Sequence, residues 1–267
     1  MKLPSPQIAV LLVAVALAGC GDSSNGTGRV NLQVATRSTS TMAGMDMRLS
    51  SSTGATGQAT IELGGDRIVI DQVELVLRKV KFEGVGAGAC EGAGSLDVEG
   101  EEDDCGEFRA DPTLLNLPLG EGAVQTFSAT VPVGAYHAVQ FQIHRPTDNN
   151  GDADFLADHP DFEDVSIRVT GTFQQAGAPA PVPFTYTTDL TSVVNVALES
   201  PVEVTAGATL DVTLDIHLAG WFADQAAGRL VDPAQALDGR PYDSMVEQNI
   251  RQSFRVFRDG DHDGTED

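Results

Sequence analysis

Basic residues are scarce in this chain: sixteen lysines and arginines stand against thirty-nine aspartates and glutamates, and no stretch gathers them. The net charge of −23 therefore excludes the usual footprint for nucleic acid or for anionic lipid surfaces, both of which demand a basic patch. Aromatics are also few, at 6% with a single tryptophan, so an extended sugar-stacking platform is excluded. There are three cysteines and no C-x-x-C, and no H-E-x-x-H or G-x-S-x-G motif occurs. A Ser-His-Asp triad needs only to meet in space, and carboxylate pairs could be drawn from thirty-nine acids at will, so neither points to catalysis. The chain reads as a non-enzyme.

What is present starts at the N-terminus. Lys2 precedes an apolar run from Ile8 to Leu17, which is too short for a permanent transmembrane helix and reads as a cleaved signal. Leu17-Ala18-Gly19-Cys20 is similar to the lipobox of bacterial lipoproteins. That resemblance implies a signal peptide over 1–19, diacylglycerol on the Cys20 thiol and a membrane held through that lipid. Gly21 is not the aspartate that signals inner-membrane retention, which favours the outer membrane, with the leaflet open. Residues 20–28 are polar and read as a flexible tether.

Removing nineteen residues from 267 leaves 248, enough for one large all-β domain or two small ones. With Cys20 committed to lipid, Cys90 and Cys105 are expected to form a disulfide in an oxidising compartment. They bracket most of residues 83–106, an insert with eight acidic side chains and no basic one, which should project into solvent.

Alternating apolar residues place strands near 29–36, 59–63, 67–82 (one long bent strand, or two), 124–131, 135–144, 163–173, 182–190, 193–204 and 208–218. Residues 37–58 read as a long loop or disordered insert. The cleanest alternation, Leu210, Val212, Leu214, Ile216 and Leu218, describes an antiparallel strand with a wet face that carries His217. The rhythm is that of an all-β antiparallel β-sandwich over 29–222. Trp221 and Phe222 should close that sandwich where a C-terminal segment, 223–258, packs on it. Ser244 and Glu247 suit a capping box, and Met245, Val246, Asn249, Ile250, Phe254 and Phe257 predict one amphipathic helix near 243–257, with Glu247 and Arg251 paired on its exposed face. An acidic tail, 259–267, follows.

Two segments carry a wider resemblance. Val131-Pro132-Val133-Gly134-Ala135-Tyr136-His137-Ala138-Val139-Gln140-Phe141-Gln142-Ile143 resembles a hairpin of a family of secreted bacterial lipoproteins of unknown function, and Val246 to Gly264 looks like the ending of members of such groups. The resemblance implies a transthyretin-like or related β-sandwich and transfers no functional residue.

Oxygen ligands on alternate residues can wrap a hard cation, and Asp148, Asn150, Asp152 and Asp154 offer that spacing for Ca²⁺. It is not an EF-hand, since Ala153 replaces the glycine and His159 the final glutamate; Asp158, Asp161, Glu163 and Asp164 could complete another shape. The alternative is a solvated acidic loop. Asp259, Asp261 and Asp263 form a weaker second cation candidate beside a frayed end. His137, His144, His159, His217 and His262 lie scattered. The expectation is a lipid-anchored cell-envelope module, structural or ligand-binding, with calcium as its one cofactor and a glycan or envelope protein as partner. A carbohydrate-binding or adhesion module is the first alternative, a hydrolase the second.

Overall fold

The computed structural model describes residues 26–36, 39–42, 45–52, 57–84, 107–120, 124–148, 151–260 and 266. The signal, Cys20, Cys90, Cys105, Asn150, Asp261, His262 and Asp263 lie outside the described residues, as does most of the 83–106 insert. Strands dominate. In chain order they are β1 (Thr27–Thr36), β2 (Thr39–Met42), β3 (Met45–Ser52), β4 (Gln58–Leu63), β5 (Asp66–Gly84), β6 (Glu107–Arg109), β7 (Thr113–Asn116), β8 (Val124–Pro132) and β9 (Gly134–Ile143). The short helix α1 (Ala153–Asp158) precedes β10 (Ile167–Gln174), β11 (Val182–Thr188), β12 (Ser192–Val204), β13 (Thr209–Ile216), β14 (Ala223–Asp224) and β15 (Arg229–Leu230). The helix α2 (Asp243–Arg251) and β16 (Phe254–Arg258) close the described chain.

Fourteen strands join in one sheet, and β14 with β15 forms a small ribbon. The main path runs β2-β3-β4-β5-β9-β12-β16-β13-β1-β8. Strands from distant parts of that path bury side chains in one cluster: Val30, Leu32 and Val34 of β1 and Val212, Leu214 and Ile216 of β13 share it with Ile68, Ile70, Leu75 and Phe82 of β5 and Phe141 of β9. A sheet whose separated strands share one core has curled on itself, which is how strands with one apolar face bury that face.

The long strand β5 organises one half. Gly64 and Gly65, at φ +63° and +89°, make the two-residue turn that joins it to β4, a conformation that glycine adopts without a Cβ penalty. Its register with β9 shifts between Arg78 and Lys81, and Lys79 there sits at φ +53°. This bulge bends the one continuous strand. Phe82 stacks on Tyr136 at 4.6 Å between ring centroids, and the Tyr136 hydroxyl donates to the Pro132 carbonyl at 2.8 Å.

Several expectations need correction. Pairing is mixed rather than wholly antiparallel: β1 runs parallel to β13, and β12 parallel to β16. The stretch 37–58 holds β2, β3 and the start of β4, because β4 offers β3 an edge that sequence alone does not reveal. The C-terminal helix exists but ends at Arg251; Phe254–Arg258 is a strand slotted between β12 and β13. Ser244 is no cap, since Tyr242 holds that position without a side-chain hydrogen bond. Glu247 and Arg251 do meet, at 3.1 Å. Segment 223–258 is accordingly strand, helix and strand. Nor does β13 have a wet face: Thr213 and Asp215 are fully buried, and His217 keeps only 13% of its side chain exposed.

Candidate functional site

The chain leaves β9 at Ile143 and returns as β10 at Ile167, and both strands pair with the same edge of β5. Val76 marks the junction, accepting from His144 N–H at 3.0 Å and donating to the Ser166 carbonyl at 2.8 Å. Residues 144–166 are thus an excursion inserted between two nearly collinear strands. Its ends are tied by Asp164 N–H to the Pro146 carbonyl, 2.9 Å. Phe162 is buried, and the Arg168 guanidinium lies 4.2 Å from its ring centroid.

Of the predicted cation ligands, Asp148, Asp152 and Asp154 fall in this excursion. Asp148 and Asp154 are exposed, whereas Asp152 is 1% exposed. Its Oδ2 accepts from His144 Nε2 at 2.9 Å and from Thr147 N–H at 3.0 Å. Burial pulls the His144 pKa below its ordinary value, against the opposing pull of Asp152, so the neutral ring donates to the carboxylate. The Oδ1 of Asp152 has no hydrogen-bond partner among the described residues. Asp161 pairs with Arg168 at 2.7 Å, a hydrogen bond that lowers its pKa, and Asp164 lies 3.5 Å from Arg145. Arginines thus hold part of this acidic loop. Among the described residues no group of three or more His, Cys, Asp or Glu side chains is placed to hold a metal ion.

The sequence missed the surface opposite. The excursion reaches across to the β6–β7 segment, and together they enclose a cleft of about 460 Å³. One wall offers Arg109, Asp111, Pro112, Thr113 and Leu114; the other offers Gly151, Asp154, Phe155, Asp158 and His159. Arg109 Nε donates to Thr113 Oγ1 at 3.1 Å. The His159 ring lies 4.9 Å from that of Phe155. No periodicity could have shown this, because the walls are forty residues apart in sequence and belong to segments that read as loop.

No protein-family model, curated protein or solved structure matches this chain. Its function has to be argued from its own residues.

Elsewhere several polar groups are engaged within the sheet. Asp259 is fully buried and accepts from Thr213 Oγ1 at 2.8 Å, so it belongs to the sheet rather than to a frayed tail. His217 Nε2 meets Asp215 Oδ2 at 2.8 Å. His137 is half exposed, 3.9 Å from Glu83. Ser253 accepts from Trp221 Nε1 at 2.9 Å and donates to the Ile250 carbonyl at 2.7 Å, while Ser166 donates to the Thr188 carbonyl. Trp221 and Phe222 are fully buried, which removes them as a glycan platform. A larger opening, about 600 Å³, is lined by the C-terminal half of β12, the start of β13 and the end of β16, with Glu199, Pro201 and Glu203 among its walls.

Proposed function

We propose that this chain is a lipid-anchored lipoprotein of the bacterial cell envelope whose body is a non-catalytic β-sandwich, dominated by antiparallel pairs, that serves as a structural or ligand-binding module. The carrying observation is the sequence Leu17-Ala18-Gly19-Cys20 followed, after a short polar stretch, by a strand that begins at Thr27 and lies one place in from the edge of the main sheet. An outer-membrane address follows from Gly21. The curled sheet with a shared core supports the sandwich.

Metabolic labelling with an alkyne-bearing palmitate in a bacterial host tests the anchor. Label on the full chain, absent from Cys20→Ser, is the expected result; label that persists in Cys20→Ser, or none on the wild type, sinks the reading. Calcium on the loop of Asp148, Asn150, Asp152 and Asp154 is the proposed cofactor. It predicts a higher melting temperature of the full chain in millimolar calcium than in chelator, lost in the Asp148→Ala/Asp154→Ala double variant.

A further inference from the structure

The strand β16 stops before its neighbours do. It meets β12 at one position, Leu198 with Val256, and its ladder with β13 reaches Val212 opposite Arg258. One more rung follows, Asp259 N–H to the Asp211 carbonyl at 3.3 Å. Past that rung β12 still runs on to Val204 and β13 reaches back to Thr209, and among the described residues no strand pairs with either on the facing side. Alternate residues of a strand turn their N–H and C=O to the same side. The Ala208 carbonyl accepts from Arg29 N–H at 2.9 Å and so faces β1, while Asp211 faces β16. Thr209 therefore presents its main-chain groups to the β16 side, beyond the last rung. The opening of about 600 Å³ lies along this gap; its walls include Leu210, Phe257 and three carboxylates, Glu199, Glu203 and Glu266, against the one guanidinium of Arg258.

We propose that this gap binds an extended basic peptide of a partner protein, which adds a strand beyond the end of β16. Strand addition takes its affinity from main-chain hydrogen bonds and its specificity from alternate side chains. Thr209 offers the main-chain groups, Leu210 and Phe257 the apolar surface, and the excess of carboxylates selects the occupant. The chain's own continuation is a poor competitor, because it would bring Asp261 and Asp263 against Glu199 and Glu203. Lysine or arginine at alternate positions reverses that sign. Pro201, which has no N–H to offer, falls where β12 loses its register with β9, between Ala197 and Val202, and not in the paired part of the strand. The proposal rests on the ligand-binding form of the reading above and names its ligand class.

Fluorescence anisotropy of the detergent-solubilised full chain with three labelled heptapeptides tests it: alternating Lys-Val, alternating Glu-Val, and the Lys-Val peptide with proline for its central valine. The proline peptide keeps every charge and loses a main-chain donor. Binding of Lys-Val but not Glu-Val is expected, weaker by at least about tenfold for the proline peptide and in the Glu199→Gln/Glu203→Gln variant, and unchanged in Glu62→Gln on another strand. No binding of Lys-Val, equal binding of the proline peptide, or binding untouched in the double variant would overturn it. Binding that appears only once residues 261–267 are removed gives the gap to the chain's own tail and overturns it too. Unchanged melting temperatures of the variants exclude loss of fold as the cause. Lipid attachment is read separately by palmitate labelling, so a gap that ignores the peptides leaves the anchor standing, and an unlabelled Cys20 leaves the peptide result intact.

Discussion

His144 and Asp152 are hidden together beneath the excursion, one neutral donor on one charged acceptor. Because burial lowers the His144 pKa, the unfolded chain takes up a proton there before the folded one does. The contribution of the neutral ring is complete above the ordinary histidine pKa of about 6.5 and is lost as pH falls below it. Urea midpoints measured from about pH 7.5 down to about pH 5 should fall less in His144→Asn than in the wild type. A parallel decline in both would assign the pH dependence to other groups. Ser253 offers a second residue-scale prediction. Replacing it by alanine strands the Trp221 indole N–H in the core and should cost about 1–3 kcal/mol in denaturant unfolding.

Among the elements, β10 is the most exacting. Its register against β5 shifts between Thr170 and Gly171, and a Cβ on Gly171 would lie 2.0 Å from the Val69 carbonyl oxygen. Backbone cannot retreat as a flexible side chain can. Gly171→Ala should therefore destabilise by roughly 3 kcal/mol or lose the fold, and Gly207→Ala, whose Cβ meets nothing within 4 Å, serves as a milder control that pays only for its left-handed backbone. The same scale shows what a sequence conveys. Alternation located β1, β5, β8, β9, β12 and β13 closely, because each carries its apolar residues two apart and needs no knowledge of its neighbours. The C-terminus misled: Ile250, Phe254 and Phe257 satisfy a helical spacing, while Phe254 and Val256 with Arg255 between them satisfy a strand, and only the free edge of β13 decides between them. Thr213 and Asp215 misled in the same manner, being polar residues buried by the central position of their strand. The cleft was illegible because its walls lie far apart in sequence and carry no strand or helix period of their own.

The molecule as a whole is strongly acidic, with basic residues enough to pair only part of its carboxylates. Self-repulsion on that scale is relieved by salt more than any surface ion pair is weakened by it. The melting temperature should rise between about 0.01 M and about 0.5 M sodium chloride. A fall would mean that pairs such as Arg168 with Asp161 outweigh the net charge. Folding must also join the two ends of the chain: Asn31 donates to Asp211 at 2.8 Å across a separation of 180 residues. Such topology folds slowly.

The first strand after the tether is flanked on both sides, by β8 and by β13, along nearly its whole length. A pull at the N-terminus therefore runs along β1 and loads two ladders of hydrogen bonds sideways and together, instead of peeling one rung at a time. With the proposed lipid on Cys20, the drag of flowing medium would be met by both ladders, and tearing the strand loose would require many bonds to fail at once.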